Sequence, residues 1–305
     1  MNNYNDREKK KKLIKDLPVK ELYKEEERLS VYQGADRVVP ASELKAELTL
    51  TDESIFKIKT GVKTLDRILD GVECGELILL TGLTGEGKSS LMMSLTANMA
   101  EQGAKSCWFT LEVTPRQFLK KMASRTENLP EFFLPKENTE NTLTWIEERI
   151  IESNVKYNTK VVFIDHLNAI FSLEQFKGNL SLEIGDMVAK IKDMAIKHNQ
   201  IIFLVAHCKD PVDNKEPTKH SIRDSGMIIR LADTILGIWR IRNDAKPDDD
   251  RLREIREEDN QAKIRIWKNR REGKLGTFFM EHKNHYLTEI DKKSELEVLA
   301  NELKF

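Results

Sequence analysis

An excess of either charge is missing from this chain: 50 lysines and arginines stand against 51 acids in 305 residues. That balance argues against a polycation that coats nucleic acid through bulk charge, and against an acidic tail protein. Any contact with nucleic acid must be local. Cysteine is scarce too, with Cys74, Cys107 and Cys208 far apart, lacking C-x-x-C spacing and lying in or beside apolar segments. Free buried thiols in a reducing compartment are expected, rather than a disulfide framework. No apolar run approaches the ~20 residues that span a bilayer, and Met1-Asn2-Asn3-Tyr4-Asn5-Asp6 has no apolar signal core. A cytosolic protein without a membrane partner is predicted. The length suits one sizeable α/β domain with appendages, or two small domains.

What is present begins with charge. Residues 1 to about 30 carry Lys9 to Lys12 in a row and few large apolar positions. A solvated arm is the default expectation, with a helical docking segment second. After Pro40, Ser42 to Leu48 suggests a short helix with Leu44 and Leu48 one turn apart, a stripe too small to form a core alone. From Ile55 strand-like and helix-like segments alternate: strands at 76–81, 106–111, 160–165, 200–206, 234–240 and 262–269, helices at 89–101, 115–125, 142–153 and 182–198. Intervals of this size predict a mostly parallel central sheet flanked by helices.

Gly82-Leu83-Thr84-Gly85-Glu86-Gly87-Lys88-Ser89 fits G-x-x-x-x-G-K-[ST] between the apolar run Leu77–Leu80 and a helix-like segment. This is the strand–loop–helix context of a phosphate-binding loop. Its glycines let successive N–H groups turn inward toward a triphosphate, and the helix that opens at Ser89 and Ser90 adds its positive end. Lys88 is expected to reach the β- and γ-phosphates of ATP, and Ser89 to hold Mg²⁺. Val161-Val162-Phe163-Ile164 ends in Asp165, a carboxylate on the edge where the loop must lie and so a second candidate for Mg²⁺.

Four further residues are open on the sequence alone. Glu112, leaving the strand that begins near Cys107, either polarises an attacking water or caps the helix near Pro115. His207, ending the strand 200–206, either contacts a γ-phosphate or is a satisfied structural histidine. Lys268 and Arg270, two apart on a strand, project to one side; they either hold an anion, a phosphate being the obvious one, or form a solvated strand end. Two polar stretches, Phe171 to Asn179 with Lys177 and Cys208 to Asp224 with Lys215, Lys219 and Arg223, are long for ordinary connections on such a scaffold. Arg242 to Asn260 is almost wholly charged and is expected to be a solvated insertion.

These elements, in this order and spacing, resemble the RecA-type motor of the hexameric replicative helicases, the DnaB and Twinkle-like family that includes the helicase half of phage primase-helicases. The resemblance rests on Gly61 to Asp66, Gly82 to Ser89, Phe109 to Val113, Ile164 to Leu167, Val205 to His207, Ser225-Gly226 with Leu231 to Thr234, and Lys268-Asn269-Arg270, and it covers about residues 40 to 290. It implies a P-loop, RecA-like fold and a DNA-stimulated ATP hydrolase. It implies Glu112 as catalytic base, Asp165 on Mg²⁺, His207 as γ-phosphate sensor, and Lys268 with Arg270 as the finger inserted into the neighbouring subunit's site. It further implies that Arg240 and His282 sandwich the adenine and that residues 41–54 dock on the adjacent protomer.

The organisation expected is thus an arm over 1–40, a linker helix over 41–54, a motor over 55–290 and a helical tail over 291–305. About fifty mostly polar residues ahead of the motor cannot make a primase or collar domain, so a stand-alone motor, or one that borrows a separate primase or polymerase, is expected. The function expected is a homo-oligomeric ring, a hexamer, that moves along single-stranded DNA through Lys177, Lys215, Lys219 and Arg223. The alternatives are a RecA/RadA-type recombinase or clock-type ATPase on the same fold, and an ATP-gated loader or accessory protein.

Overall fold

The computed structural model describes residues 19–34, 37–43, 45, 56–123, 129–140, 142–170, 180–208, 217–222, 225–241, 261–283 and 286–290. Lys177, Lys215, Arg223, Leu44, Leu48, the charged stretch 242–260 and the tail 291–305 lie outside the described residues. The chain divides into two units, Met1–Ser54 and Ile55–Phe305.

In the first unit Val19–Ser30 is a helix, α1. Residues 41–43 and 45 are also helical, within the span expected for the linker helix. Arg37 pairs with Glu43 at 2.9 Å.

Among the described residues, the second unit is built on a nine-stranded sheet with the spatial order β11-β10-β9-β8-β3-β7-β6-β4-β5. Its strands are β3 (Leu77–Gly82), β4 (Ser106–Thr110), β5 (Phe132–Phe133), β6 (Val161–Asp165), β7 (Ile201–His207), β8 (Thr234–Arg240), β9 (Gln261–Asn269), β10 (Gly276–Lys283) and β11 (Tyr286–Ile290). Two short strands, β1 (Lys57–Ile58) and β2 (Val72–Glu73), pair separately. From β8 to β5 every neighbouring pair is parallel, while β8, β9, β10 and β11 run antiparallel to one another. The strand expected at 262–269 therefore forms, but as the first of three antiparallel strands.

The parallel strands are buried on both faces, which is why their sequences read as continuous apolar runs. In β3, Ile78 and Leu80 join one core with Leu91, Met92 and Leu95 of α3 (Lys88–Glu101). Leu77 and Leu79 join the other core, with Ile146 and Ile150 of α5 (Leu143–Tyr157) and Val188 and Ile191 of α6 (Leu180–Lys197). The period of two along the strand thus divides the molecule into two apolar layers. Among the described residues the unit also has α2 (Lys63–Leu69), α4 (Pro115–Ala123) and α7 (Ser225–Leu231). The three cysteines are free, Cys107 and Cys208 buried and Cys74 half-buried. Burial pushes the Cys74 thiol to about 11 and Cys107 to about 12, which keeps both protonated and unreactive.

Candidate nucleotide and subunit-contact site

The parallel order brings the carboxyl ends of the strands to one edge of the sheet. Along it come Arg240 ending β8, Gly82 ending β3, His207 ending β7, Asp165 ending β6, and Glu112 two residues beyond β4. Residues more than a hundred positions apart are thereby neighbours, as the sequence required.

Gly82 to Ser89 turns from β3 into α3. Two of its glycines adopt a conformation open to few other residues: Gly85 at φ 83° and Gly87 at φ 102°. Gly82 is required for a different reason. A Cβ there would lie 2.5 Å from the backbone carbonyl of Ile238 in β8. Thr84 and Gly85 are exposed, whereas Glu86, Lys88 and Ser90 are buried. The Lys88 ammonium donates to the carbonyls of Gly82 at 3.0 Å and Leu83 at 2.6 Å, so it is folded back on its own loop. Burial pushes its proton affinity below the usual lysine value, opposed by Asp165 and other nearby acidic groups. A polyanion beside it would favour the charged form and compete for its hydrogen bonds.

Ser89 Oγ donates to Asp165 Oδ2 at 2.7 Å. Burial holds the Asp165 carboxyl above its usual value, with the Ser89 bond working against it. Beside it His166 Nδ1 lies 3.5 Å from Glu112 Oε2. Glu112, Asp165 and His166 each offer one ligand atom, all within 4.8 Å of one another. The Asp165 carboxylate and the Ser89 hydroxyl bonded to it are hard oxygen donors that fit a divalent cation such as Mg²⁺, which would also favour the ionised Asp165. Ser89, Gln117, Lys121, Glu112 and Asp165 line a cavity of about 240 Å³ at this place. A larger one, about 560 Å³ beside Phe133, Trp145 and Arg149, contains none of the expected site residues.

His207 pairs in register with Gly82 and its ring meets that of His166 at 4.4 Å. In the sequence His166 is only one letter of a motif; its cue is its place directly after the acidic strand end. Asn138 carries no such cue. Its amide donates to the Thr110 carbonyl at 2.9 Å, fixing the chain just before Glu112. On the opposite flank Glu86 accepts a hydrogen bond from the Arg240 backbone N–H. A Cβ on Gly87 would lie 3.5 Å from His282 Nε2. Arg240 and His282 thus both stand beside the loop, the latter carried by the β10–β11 hairpin.

Lys268 and Arg270 lie elsewhere. Lys268 donates to the carbonyls of Ile229, Arg230 and Ala232 at the end of α7. Arg270 pairs with Asp233 at 2.8 Å and donates to the Arg230 carbonyl. The anion expected between the two cations is supplied here by a carboxylate and a helix C-terminus rather than a phosphate.

That they meet depends on a β-bulge. Ile235 pairs with Lys268 but Leu236 with Ile266, leaving Trp267 as the extra residue. Without it Lys268 would follow Ile264 and Ile266 into the first core. Asp233 donates its N–H to the Leu77 carbonyl, which puts the cluster at the amino edge of the sheet. Six-residue β3, about 17 Å long, runs from the level of Asp233 to the loop, and the side chains of Lys268 and Arg270 are both bonded at its amino end.

Asp233 also accepts from Lys192 at 2.6 Å and from the Leu77 N–H at 2.8 Å, with little solvent access. Asp233→Ala is expected to lower stability by about 3 kcal/mol, because it strands a half-buried ammonium and a buried N–H. Urea unfolding checks this; a change below about 1 kcal/mol would mean that solvent replaces the carboxylate.

Residues 57–142 and 131–290 match the family described as DnaB-like helicase C terminal domain. The replicative DNA helicase DnaB of Mycoplasma genitalium is 24% identical over 231 residues, 64% of this chain and 49% of that protein. The DNA repair protein RadA of Escherichia coli is 28% identical over 184 residues, 59% of this chain and 37% of that protein. The chain spans about half the length, or less, of these curated relatives. Among solved structures, the ATPase domain of G40P superposes with a TM-score of 0.65 at 16% identity, covering 82% of this chain and 97% of that one. A DnaB-like replicative helicase, described with its interactions with primase, gives 0.66 at 15% identity, covering 94% and 76%. At such identity these two likenesses speak for the fold.

Proposed function

The chain belongs to the DnaB-like helicase C-terminal domain family, and on that premise we propose that it is an ATP-driven motor that forms a homo-oligomeric ring, a hexamer, and moves along single-stranded DNA in replication. The observation that carries the reading is the split between two edges of one sheet. Phosphate loop, Asp165, Glu112 and His207 share the carboxyl edge, while the bonds of Lys268 and Arg270 gather at Asp233 and the end of α7, on the amino edge. Cations so placed would serve a nucleotide held by a neighbouring protomer.

In this reading Lys88 leaves the Gly82 and Leu83 carbonyls to neutralise the β- and γ-phosphates. Ser89 and Asp165 would hold Mg²⁺, which would supply positive charge to offset that on the phosphate oxygens. Glu112, exposed at the mouth of the site, takes the proton of the attacking water, and His166 orients it. His207 donates to the γ-phosphate and, as the last residue of β7, passes its loss to the loop that follows. Arg240 and His282 enclose the adenine. Lys177, Lys215, Lys219 and Arg223 contact DNA phosphates; Lys219, the one described, is exposed on a short 3₁₀ turn, Lys219–Ser221.

Changing Lys215 and Lys219 together to alanine is expected to weaken single-stranded DNA binding uniformly across sequences. The salt slope should flatten by about 0.7 for each phosphate that is no longer neutralised, and stimulation of the ATPase by DNA should fall. An unchanged affinity and slope would remove this loop from the DNA path. The similarity to RadA favours a second reading, a motor that does not separate strands. A forked duplex left intact in the presence of DNA-stimulated hydrolysis would support that alternative.

A further inference from the structure

We infer that the groove between the Lys219–Ser221 turn and the outer strands β9 and β10 is a stacking subsite for one base of a single-stranded nucleic acid, with Trp267 as its platform. The inference rests on the reading of the chain as a single-strand motor and adds a contact to bases where that reading has contacts to phosphates.

The groove has a volume of about 490 Å³, within the range of small-ligand sites. Lys219 and His220 of the turn, Arg265 and Trp267 of β9, and Leu275 are among its lining residues. No acidic side chain is among its described lining residues. Bulk composition does not explain this, because acids and bases are balanced over the chain. A cationic, aromatic concavity of this kind suits a base with its phosphate, since every base has a π-face and every nucleotide a negative charge.

Two independent features of the backbone place the indole. The bulge between Ile235 and Leu236 leaves Trp267 as the unpaired residue of β9 and brings Lys268 round to the face that Trp267 occupies. Beneath it lies Gly237, where a Cβ would sit 2.6 Å from Trp267 Cη2 and 2.7 Å from Cε2. Only glycine lets the ring lie against β8 at this point. The indole packs at the rim of the second core, partly buried, and also lines the groove. Its position is therefore fixed before any ligand arrives, which lowers the entropy cost of stacking. Ile222, which follows the turn, bridges to Cys208 after β7, so the wall bearing Lys219 is tied to the strand that ends at His207.

The test compares the full chain with Trp267→Leu, Trp267→Phe and Arg265→Gln, using a short fluorescent oligothymidylate and the same strand built from abasic units. The unaltered chain is expected to prefer the strand with bases by about tenfold. Trp267→Leu should bind both strands alike. Trp267→Phe, which also shortens the side chain but keeps an aromatic face, should retain most of the preference. Arg265→Gln should weaken both strands by a similar factor, as removal of a cation from a phosphate does. A preference undiminished in Trp267→Leu, or abolished equally in Trp267→Phe, overturns the stacking role and leaves the motor reading standing. Failure of the unaltered chain to bind either strand overturns both. Should Trp267→Leu not fold, photocrosslinking of a 4-thiothymidine strand to the unaltered chain decides: adducts on residues 265–267 or 219–220 support the subsite, and their absence in a crosslinked sample contradicts it.

Discussion

Lys88→Ala is expected to lower ATP hydrolysis by about a thousandfold or more. Lys88 is the one cation of the phosphate-binding loop, and its ammonium rests 2.6 Å from the Leu83 carbonyl. A buried, partly desolvated ammonium gains more from a developing negative charge than an exposed one, since little water screens the interaction. The fold should survive, because the two carbonyls it leaves belong to a loop that opens to solvent at Thr84 and Gly85. Steady-state turnover beside a thermal melt separates the effects. Turnover kept within tenfold in a folded Lys88→Ala protein would place the active site elsewhere.

Arg270→Ala is expected to reduce hydrolysis by about a thousandfold while leaving ATP binding nearly intact, as for a cation that acts mainly in the transition state. Its pairing with Asp233 within the protomer makes a competing expectation possible, a purely structural arginine. That alternative predicts a small loss of stability and little loss of turnover, since the guanidinium is about half exposed, 49%. Mixing with Glu112→Ala discriminates further. Each variant alone is inactive in this account, yet mixed rings contain interfaces that hold both groups and should regain activity. Mixed assemblies without recovery would contradict shared sites.

Much of the motor was legible in the sequence because buried parallel strands write themselves as apolar runs. Leu77 to Leu80 and Val161 to Ile164 could be placed to within a residue or two, and their polar ends named Gly82 and Asp165 directly. The antiparallel side was harder to read. Residues 276–290 alternate Phe278, Met280 and Leu287 with polar positions about Asn284 and His285, a hairpin pattern weaker than a continuous apolar run. His282 therefore came from resemblance, and its place beside Gly87 from the fold. Asp233 was visible as a letter in a motif, but its bonds to Lys192, Arg270 and Leu77 join residues up to 156 positions apart. Nor does spacing alone reveal a bulge. The shift at Trp267 decides which face Lys268 meets, and it depends on what β8 presents opposite, Gly237 included.

Strand separation tests the central claim most directly. Purified chain, Mg²⁺ and a forked duplex with single-stranded arms are mixed with ATP, with a non-hydrolysable analogue, or with ATP and the Lys88→Ala variant. The account predicts release of the displaced strand in the first reaction and none in the other two. Hydrolysis that rises with single-stranded DNA while the fork stays paired at every protein concentration would contradict it.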